Sequence, residues 1–539
     1  MTMTCGEATM RLLAEYGVSK IFGTPSVLGL DLCRDLSMAG DLGDTDSAPA
    51  PAVTHIEARN EQGAGFMAEG WCRATGQVGV AVVISGPGVT NAATALGQCY
   101  ADSLPMLLIS AEPPSNSIGK GRGVLHEITA QKKVTEPLTA LSATAWRASD
   151  VPELLARAFS IFASQRPRPV HISLPLDVQA ELVEGGWTAI RLPRAAEPAA
   201  GLLPTAAAML KEAKRPVIMI GGGAVDAAGG LATVVERTGA VVISSTAGKG
   251  IIPDTHPRHL TGGTVRPEVR AYLATADCIL AVGTELAETD SYVERMHITD
   301  NLIRVDIDPH KMYDFYPAGL PIVGDAAPAM ADLAAYMSDH DSRAVRSAAE
   351  AEVTRIRAEI TTNLTPSELQ QAKFLNILRA AAPKETVFAG DACPLVYTGA
   401  FAFDVPKPRK WFYPAGYCAR GNALPNAIGA KAARPQIPVV VLTAAGGAMI
   451  TLNELMVAAE RGLSLPIIVW EKDTPAQIQT EEGAITALIP DFALLAQACH
   501  CASSTPTCEE EFRSALKTAL AAKRPTLITI RENDAWLLN

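Results

Sequence analysis

Val439-Val440-Val441-Leu442-Thr443-Ala444-Ala445-Gly446-Gly447 is an aliphatic run that breaks into a turn of small residues. A helical pattern over residues 451–461 follows, then a second aliphatic run, Pro466-Ile467-Ile468-Val469-Trp470, and the polar Glu471-Lys472-Asp473. Aliphatic runs of this length, bounded by turn residues and joined through a helix, read as strands buried on both faces of a parallel sheet. The unit decides the fold because its rhythm recurs along the chain.

Runs at residues 78–85, 106–111 and 170–174, with a helix over 60–74, predict one such sheet in residues 1–185. A polar stretch rich in Pro and Ala (191–204) then links to a second βα segment, residues 200–335, with strands expected at 215–220, 240–244, 278–282 and 303–307. A charged helix over 342–364 leads to the third, residues 365–539, with strands at 386–389, 439–442, 466–470 and 526–530. The predicted fold class is α/β, three doubly wound parallel-sheet domains. A chain of 539 residues is too long for one core and suits three domains. Gly221-Gly222-Gly223 after a strand reads as a tight turn; it lacks the G-x-G-x-x-G spacing of a dinucleotide site.

Composition narrows the partners. Net charge is −11, which argues against nucleic acid and anionic membranes. No apolar run approaches the roughly 20 residues that span a bilayer. The start, Met1-Thr2-Met3-Thr4-Cys5, has no basic or apolar leader, and the ten cysteines show no pairing rhythm. Cys499-His500-Cys501 lacks a second half for a zinc site. A cytoplasmic protein with reduced thiols is expected.

The first segment contains Arg59-Asn60-Glu61-Gln62-Gly63-Ala64-Gly65-Phe66-Met67-Ala68-Glu69-Gly70-Trp71, and then Ser85-Gly86-Pro87-Gly88-Val89-Thr90-Asn91. Tyr100-Ala101-Asp102-Ser103-Leu104-Pro105, Gly283-Thr284-Glu285-Leu286 and Val305-Asp306-Ile307-Asp308 follow in order. Together these stretches resemble the acetolactate synthase and 2-oxo-acid decarboxylase branch of the thiamine diphosphate (ThDP) enzymes, across essentially the whole chain. Arg122-Gly123-Val124-Leu125-His126-Glu127 and the stretch 283–290 look most like 5-guanidino-2-oxopentanoate decarboxylase.

The resemblance implies a pyrimidine-binding, a central and a diphosphate-binding domain, in that order. It implies that Glu61 bonds the cofactor's aminopyrimidine and drives ylid formation, the ylid then serving as electron sink for a 2-oxo acid. It also implies at least a homodimer, or a homotetramer, in which Glu61 of one chain faces the diphosphate domain of another. Gly86-Pro87-Gly88 suits a turn whose backbone approaches a ligand, and equally a plain strand-to-helix turn. His126, in a loop with Gly119, Gly121 and Gly123, matches where family members place a polar residue over the substrate, and imidazole suits proton transfer near neutral pH. Nothing in the central segment indicates FAD. The acids Glu285, Glu288 and Asp290 suit a guanidinium-bearing substrate, or a solvated loop.

Three departures fall around one ligand. The family writes G-D-G in the turn and N-N after the second strand, and the Asp and second Asn hold Mg2+. Ala445 and Lys472 stand there in this chain, so no metal ligand is expected. Arg420, in Gly416-Tyr417-Cys418-Ala419-Arg420-Gly421, replaces the bulky apolar residue that bends ThDP, and a guanidinium beside a thiazolium cation is repelled. The lid over 473–489 is shorter than the family's. Two chemical readings follow. Lys472 stands in for the metal and ThDP still binds with Gly446, Gly447 and Glu471; or Arg420 and Lys472 form a cationic pocket for a small anionic substrate, with Glu61, His126 and Arg420 as the catalytic set. Loss of the apolar wedge favours the second. A third reading is a non-catalytic regulatory paralogue.

Overall fold

The computed structural model describes residues 2–24, 53–260, 263–472 and 488–538, and the backbone alone at 37–38, 477–480 and 483–486. Three wholly parallel sheets form the frame. The first has seven strands in the spatial order Ser37–Met38, Thr54–Glu57, Lys20–Gly23, Gly79–Val83, Met106–Glu112, Val170–Pro175, Leu141–Thr144. The second runs His259–Leu260, Val241–Ser244, Pro216–Ile220, Cys278–Val282, Leu302–Asp306, Leu320–Val323. The third runs Trp411–Phe412, Val387–Gly390, Val439–Ala444, Leu465–Glu471, Pro525–Arg531, Ala502–Ser504.

The predicted α/β class with three doubly wound sheets is what forms. The physical cause is the aliphatic run: Val439, Val440, Val441 and Leu442 are all buried, as strands covered by helices on both faces must be. Strand order reverses within each sheet, which opens a crevice at the carboxyl ends of the strands.

First and third sheets share one apolar core, in which Phe22, Met67 and Trp71 pack with Leu424, Ile428 and Leu455. The Glu61–Thr75 helix lies against the Ala423–Ala433 helix. Glycine makes this contact close: a Cβ on Gly70 would strike the Asn426 carbonyl, and one on Gly429 the Met67 carbonyl. The N-terminus of the first helix is thereby seated beside the diphosphate-type domain of its own chain.

The helix expected over 451–461 is shorter, Glu454–Glu460, and a separate turn of helix, Ala445–Ala448, forms inside the glycine turn. Thr451 explains the interruption, since its hydroxyl donates to the Gly421 carbonyl at 2.6 Å in a buried position. Gly221-Gly222-Gly223 is a packing turn in which the Gly223 N–H donates to the Gly283 carbonyl at 3.0 Å. No helix among the described residues is long and apolar enough to cross a membrane.

Candidate active site

Glu61 opens its helix, with Asn60 as the cap: the Asn60 side chain accepts the Gln62 N–H at 2.8 Å. The Glu61 carboxylate is buried at the positive end of the helix, where an anion is favoured. Thr24 Oγ1 donates to its Oε1 at 2.8 Å and Asn91 Nδ2 to its Oε2 at 2.9 Å. Thr24 directly follows the Lys20–Gly23 strand and Asn91 lies in the Pro87–Ala101 helix, so the carboxyl edge of the first sheet and the helix that leaves it aim the carboxylate together.

The glycine turn and His126 meet at the same edge. Gly86 precedes the Pro87–Ala101 helix at φ +60°, a backbone that side chains rarely adopt. Gly86 and Gly88 are buried, Pro87 exposed. His126, half-buried and itself at φ +64°, sets Nδ1 3.4 Å from Ser85 Oγ. Glu127 ties the loop by accepting the N–H groups of Gly121 at 2.9 Å and Val124 at 3.1 Å.

Glu454 is a site neighbour that sequence reasoning missed. Its carboxyl is buried and accepts the Arg59 N–H, and a Cβ on Gly63 would collide with it. Burial raises its pKa to about 7, against the pull of the Arg59 and Asn60 N–H groups, with the Glu61 charge adding to the rise. The available signal was an acid that opens a short helix beside the buried Leu455, Val457 and Ala458.

Apart from Glu454, the candidates of the diphosphate-type half make no hydrogen bond or ion pair with this cluster among the described residues. Register pairs Ala444 with Trp470, so Ala445 and Glu471 leave adjacent strand ends together and Lys472 follows into solvent. Beneath them Asp391 is fully enclosed: it accepts the Gly421 N–H at 2.9 Å, the Ala392 N–H at 2.8 Å and the Thr443 hydroxyl at 3.0 Å. Burial raises the Asp391 pKa, opposed by those donors and by the Arg420 charge. Gly447 is needed there, since a Cβ would strike Asp391 Oδ2.

Arg420 is exposed, and its guanidinium lies directly against Gly446, where a Cβ would meet Nη2. Neither Arg420 nor Lys472 has an ion-pair partner among the described residues, whereas Glu471 stands 4.0 Å from Arg531. The pyrimidine-type domain fixes the Arg420 loop. Asp102 accepts the Gly416 N–H at 2.9 Å and Gln98 the Ala419 N–H at 3.0 Å, and Arg73 bridges Asp102 to Glu69 in the buried layer behind. No hydrogen bond or ion pair among the described residues joins Glu61 or His126 to Arg420 or Lys472 within the chain.

Of the other candidates, Glu285 is taken up by Arg166 and Arg168, and Asp290 by the N–H groups of Thr246 and Ala287. Cys499 and Cys501 are free thiols, and no metal-binding cluster of His, Cys, Asp and Glu exists among the described residues. The lid over 473–489 lies largely outside the described residues, apart from the backbone of a hairpin, Gln477–Thr480 with Gly483–Thr486.

Models of the thiamine pyrophosphate enzymes match three stretches: the N-terminal TPP binding domain over residues 3–134, the central domain over 203–333 and the C-terminal TPP binding domain over 393–530. A Pseudomonas aeruginosa protein named "Probable 2-ketoarginine decarboxylase" is 41% identical, over 98% of this chain and 94% of that protein. The chain belongs to the thiamine diphosphate enzyme family. Acetolactate synthase isozyme 3 large subunit of Escherichia coli is 29% identical, over 87% of this chain and 82% of that one. The X-ray structure of "a putative thiamin diphosphate-dependent enzyme isolated from Mycobacterium smegmatis" superposes with a TM-score of 0.80 at 21% identity, over 98% and 99% of the two chains, a likeness of fold.

The family cofactor, Mg2+-ThDP, meets two different halves here. The Glu61 cluster and the Gly86 turn fit a ThDP aminopyrimidine. The positions at which the resemblance expects Mg2+ ligands carry the methyl group of Ala445 and the ammonium of Lys472, which do not fit an ion that needs oxygen donors. The space above Gly446 is also taken by the Arg420 guanidinium.

Proposed function

We propose that this protein is a divergent enzyme on the ThDP-enzyme scaffold, acting on a small 2-oxo acid or related carboxylate through a diphosphate site remodelled into a cationic pocket. The exposed guanidinium of Arg420 against Gly446, with no ion-pair partner among the described residues, carries this reading. Arg420 and Lys472 hold the carboxylate, Arg420 as a planar fork and Lys472 as a point charge. Glu61 and His126 move protons at the substrate, and Gly86-Pro87-Gly88 and Gly446-Gly447 allow backbone to approach it.

The working unit is a homodimer or homotetramer with the site at the subunit interface. The lack of any hydrogen bond or ion pair among the described residues between Glu61 or His126 and Arg420 or Lys472 of one chain is consistent with this arrangement. Glu61 of one subunit then serves the cationic pocket of another.

A second reading rests on the 41% identical relative: a decarboxylase or carboligase of a guanidinium-bearing 2-oxo acid that binds ThDP with Lys472 in place of the metal. Titration calorimetry with ThDP, with and without Mg2+, separates the two. Tight Mg2+-dependent binding overturns the cationic-pocket reading; no ThDP binding, with turnover of a 2-oxo acid and ordered anion density at Arg420, overturns the second. A regulatory paralogue is what remains if neither Glu61→Gln nor Arg420→Leu changes turnover of any 2-oxo acid.

A further inference from the structure

Behind the Gly86 turn lies a set of buried polar side chains that the proposed chemistry does not use. Gln131, only 2% exposed, opens the short Gln131–Thr135 helix. Its Oε1 accepts the Gly86 N–H at 2.8 Å. Its Nε2 donates to the Ala111 carbonyl at 2.8 Å, Ser110 Oγ at 3.0 Å and Ser173 Oγ at 3.2 Å. The same hydroxyls reach His171: Nε2 lies 2.8 Å from Ser110 Oγ and 3.3 Å from Ser173 Oγ, while Nδ1 lies 2.7 Å from Thr135 Oγ1. Burial lowers the His171 pKa to about 3, so the imidazole is neutral and the whole set is uncharged.

Such a network is costly at the end of a buried sheet, where aliphatic side chains would pack without polar groups to satisfy. Its distinctive product is a fixed direction for one N–H, that of Gly86. Gly86 is also the wall against which His126 rests. A Cβ there would stand 2.6 Å from the His126 carbonyl oxygen and 3.0 Å from its Cβ. Ser85, the neighbouring residue, meets the imidazole at 3.4 Å. The chain of contact therefore runs from Gln131 to Gly86 to His126.

We propose that Gln131 is a positioning residue that, through Gly86, sets the backbone and ring of His126 in the active site. Its kinetic consequence rests on the role given above to His126; its geometric consequence does not. Gln131→Met keeps the volume and removes every hydrogen bond, while Gln131→Glu, protonated by burial, keeps the acceptor for Gly86 and one donor.

Carbethoxylation of His126 by diethyl pyrocarbonate, followed by mass spectrometry with the exposed His310 as internal reference, reads the geometry. In Gln131→Met the His126 rate relative to His310 should change by about three-fold or more, and Gln131→Glu should return toward the parent rate. With 5-guanidino-2-oxopentanoate as substrate, kcat should fall by about ten- to a hundred-fold with little change in KM, as for a displaced proton-transfer group. An unchanged His126 rate in a folded Gln131→Met protein overturns the proposal, even if its melting temperature has dropped. Should that variant not fold, Ser173→Ala, which deletes one Gln131 partner, carries the same test: an altered rate supports positioning and an unaltered one overturns it. If the parent enzyme turns over no 2-oxo acid, the functional reading fails while the labelling rate still decides the role of Gln131.

Discussion

Arg420 shows what a single letter can and cannot carry. A cation where the resemblance expects an apolar wedge was legible in the sequence, because a charged residue there is chemically conspicuous. Its resting place against Gly446 was not, since that follows from the path of the loop held by Asp102 and Gln98. An exposed cation with no ion-pair partner among the described residues adds little to stability, so Arg420→Leu should shift unfolding by under about 0.5 kcal/mol. Calorimetric binding of inorganic diphosphate should weaken at least about ten-fold, the loss of one bidentate charge-assisted contact. Glu454 is the opposite case, a residue whose role no motif announced. Its carboxyl is held near 7 in the fold, against about 4.3 in an unfolded chain. Between those values the folded protein holds the extra proton, so this group's stabilisation is complete below the lower value and is lost as pH rises through 7. Glu454→Gln should therefore be more stable than the parent at pH 8 by up to about 3 kcal/mol, with the gap closing at pH 5. Thermal melts across that pH range would read it, and a gap independent of pH would contradict the buried-acid account.

Among the elements, the paired helices Glu61–Thr75 and Ala423–Ala433 decide how the two ligand-binding halves meet. The glycines that permit their contact were visible as letters, yet which backbone each one faces depends on a crossing of segments more than 350 residues apart. Gly429→Ala should lower stability by about 1–3 kcal/mol, because the added methyl meets the Met67 carbonyl and the helices must separate. A fall in the urea midpoint at unchanged slope would confirm overpacking without a change of fold. The strands predicted from aliphatic runs lie within two residues of those that form, since an aliphatic run buried on both faces has one solution. The helix after the glycine turn was read too long because its periodicity ignores Thr451, whose hydroxyl bonds a carbonyl 30 positions earlier. Long-range hydrogen bonds leave no trace in a local pattern.

For the whole molecule, the two clusters of candidate residues sit in different halves, and the proposed enzyme needs both at one point. Chains carrying Glu61→Gln alone and Arg420→Leu alone should each be inactive. Co-expressed in equal amounts, they should recover up to about a quarter of parental turnover, since half of the dimers then contain one intact site of two. No recovery would overturn a site shared between two subunits. The letters of the chain alone establish the α/β class, the three sheets and membership of the ThDP enzyme family. These depend on local periodicity and on residue identity, which the chain states directly. Packing alone shows that Arg420 lies against Gly446, that Glu454 is raised beside Glu61, and that a neutral hydrogen-bonded network lies behind Gly86. Each of these depends on burial and on contacts between distant segments, which exist only once the sheets have packed.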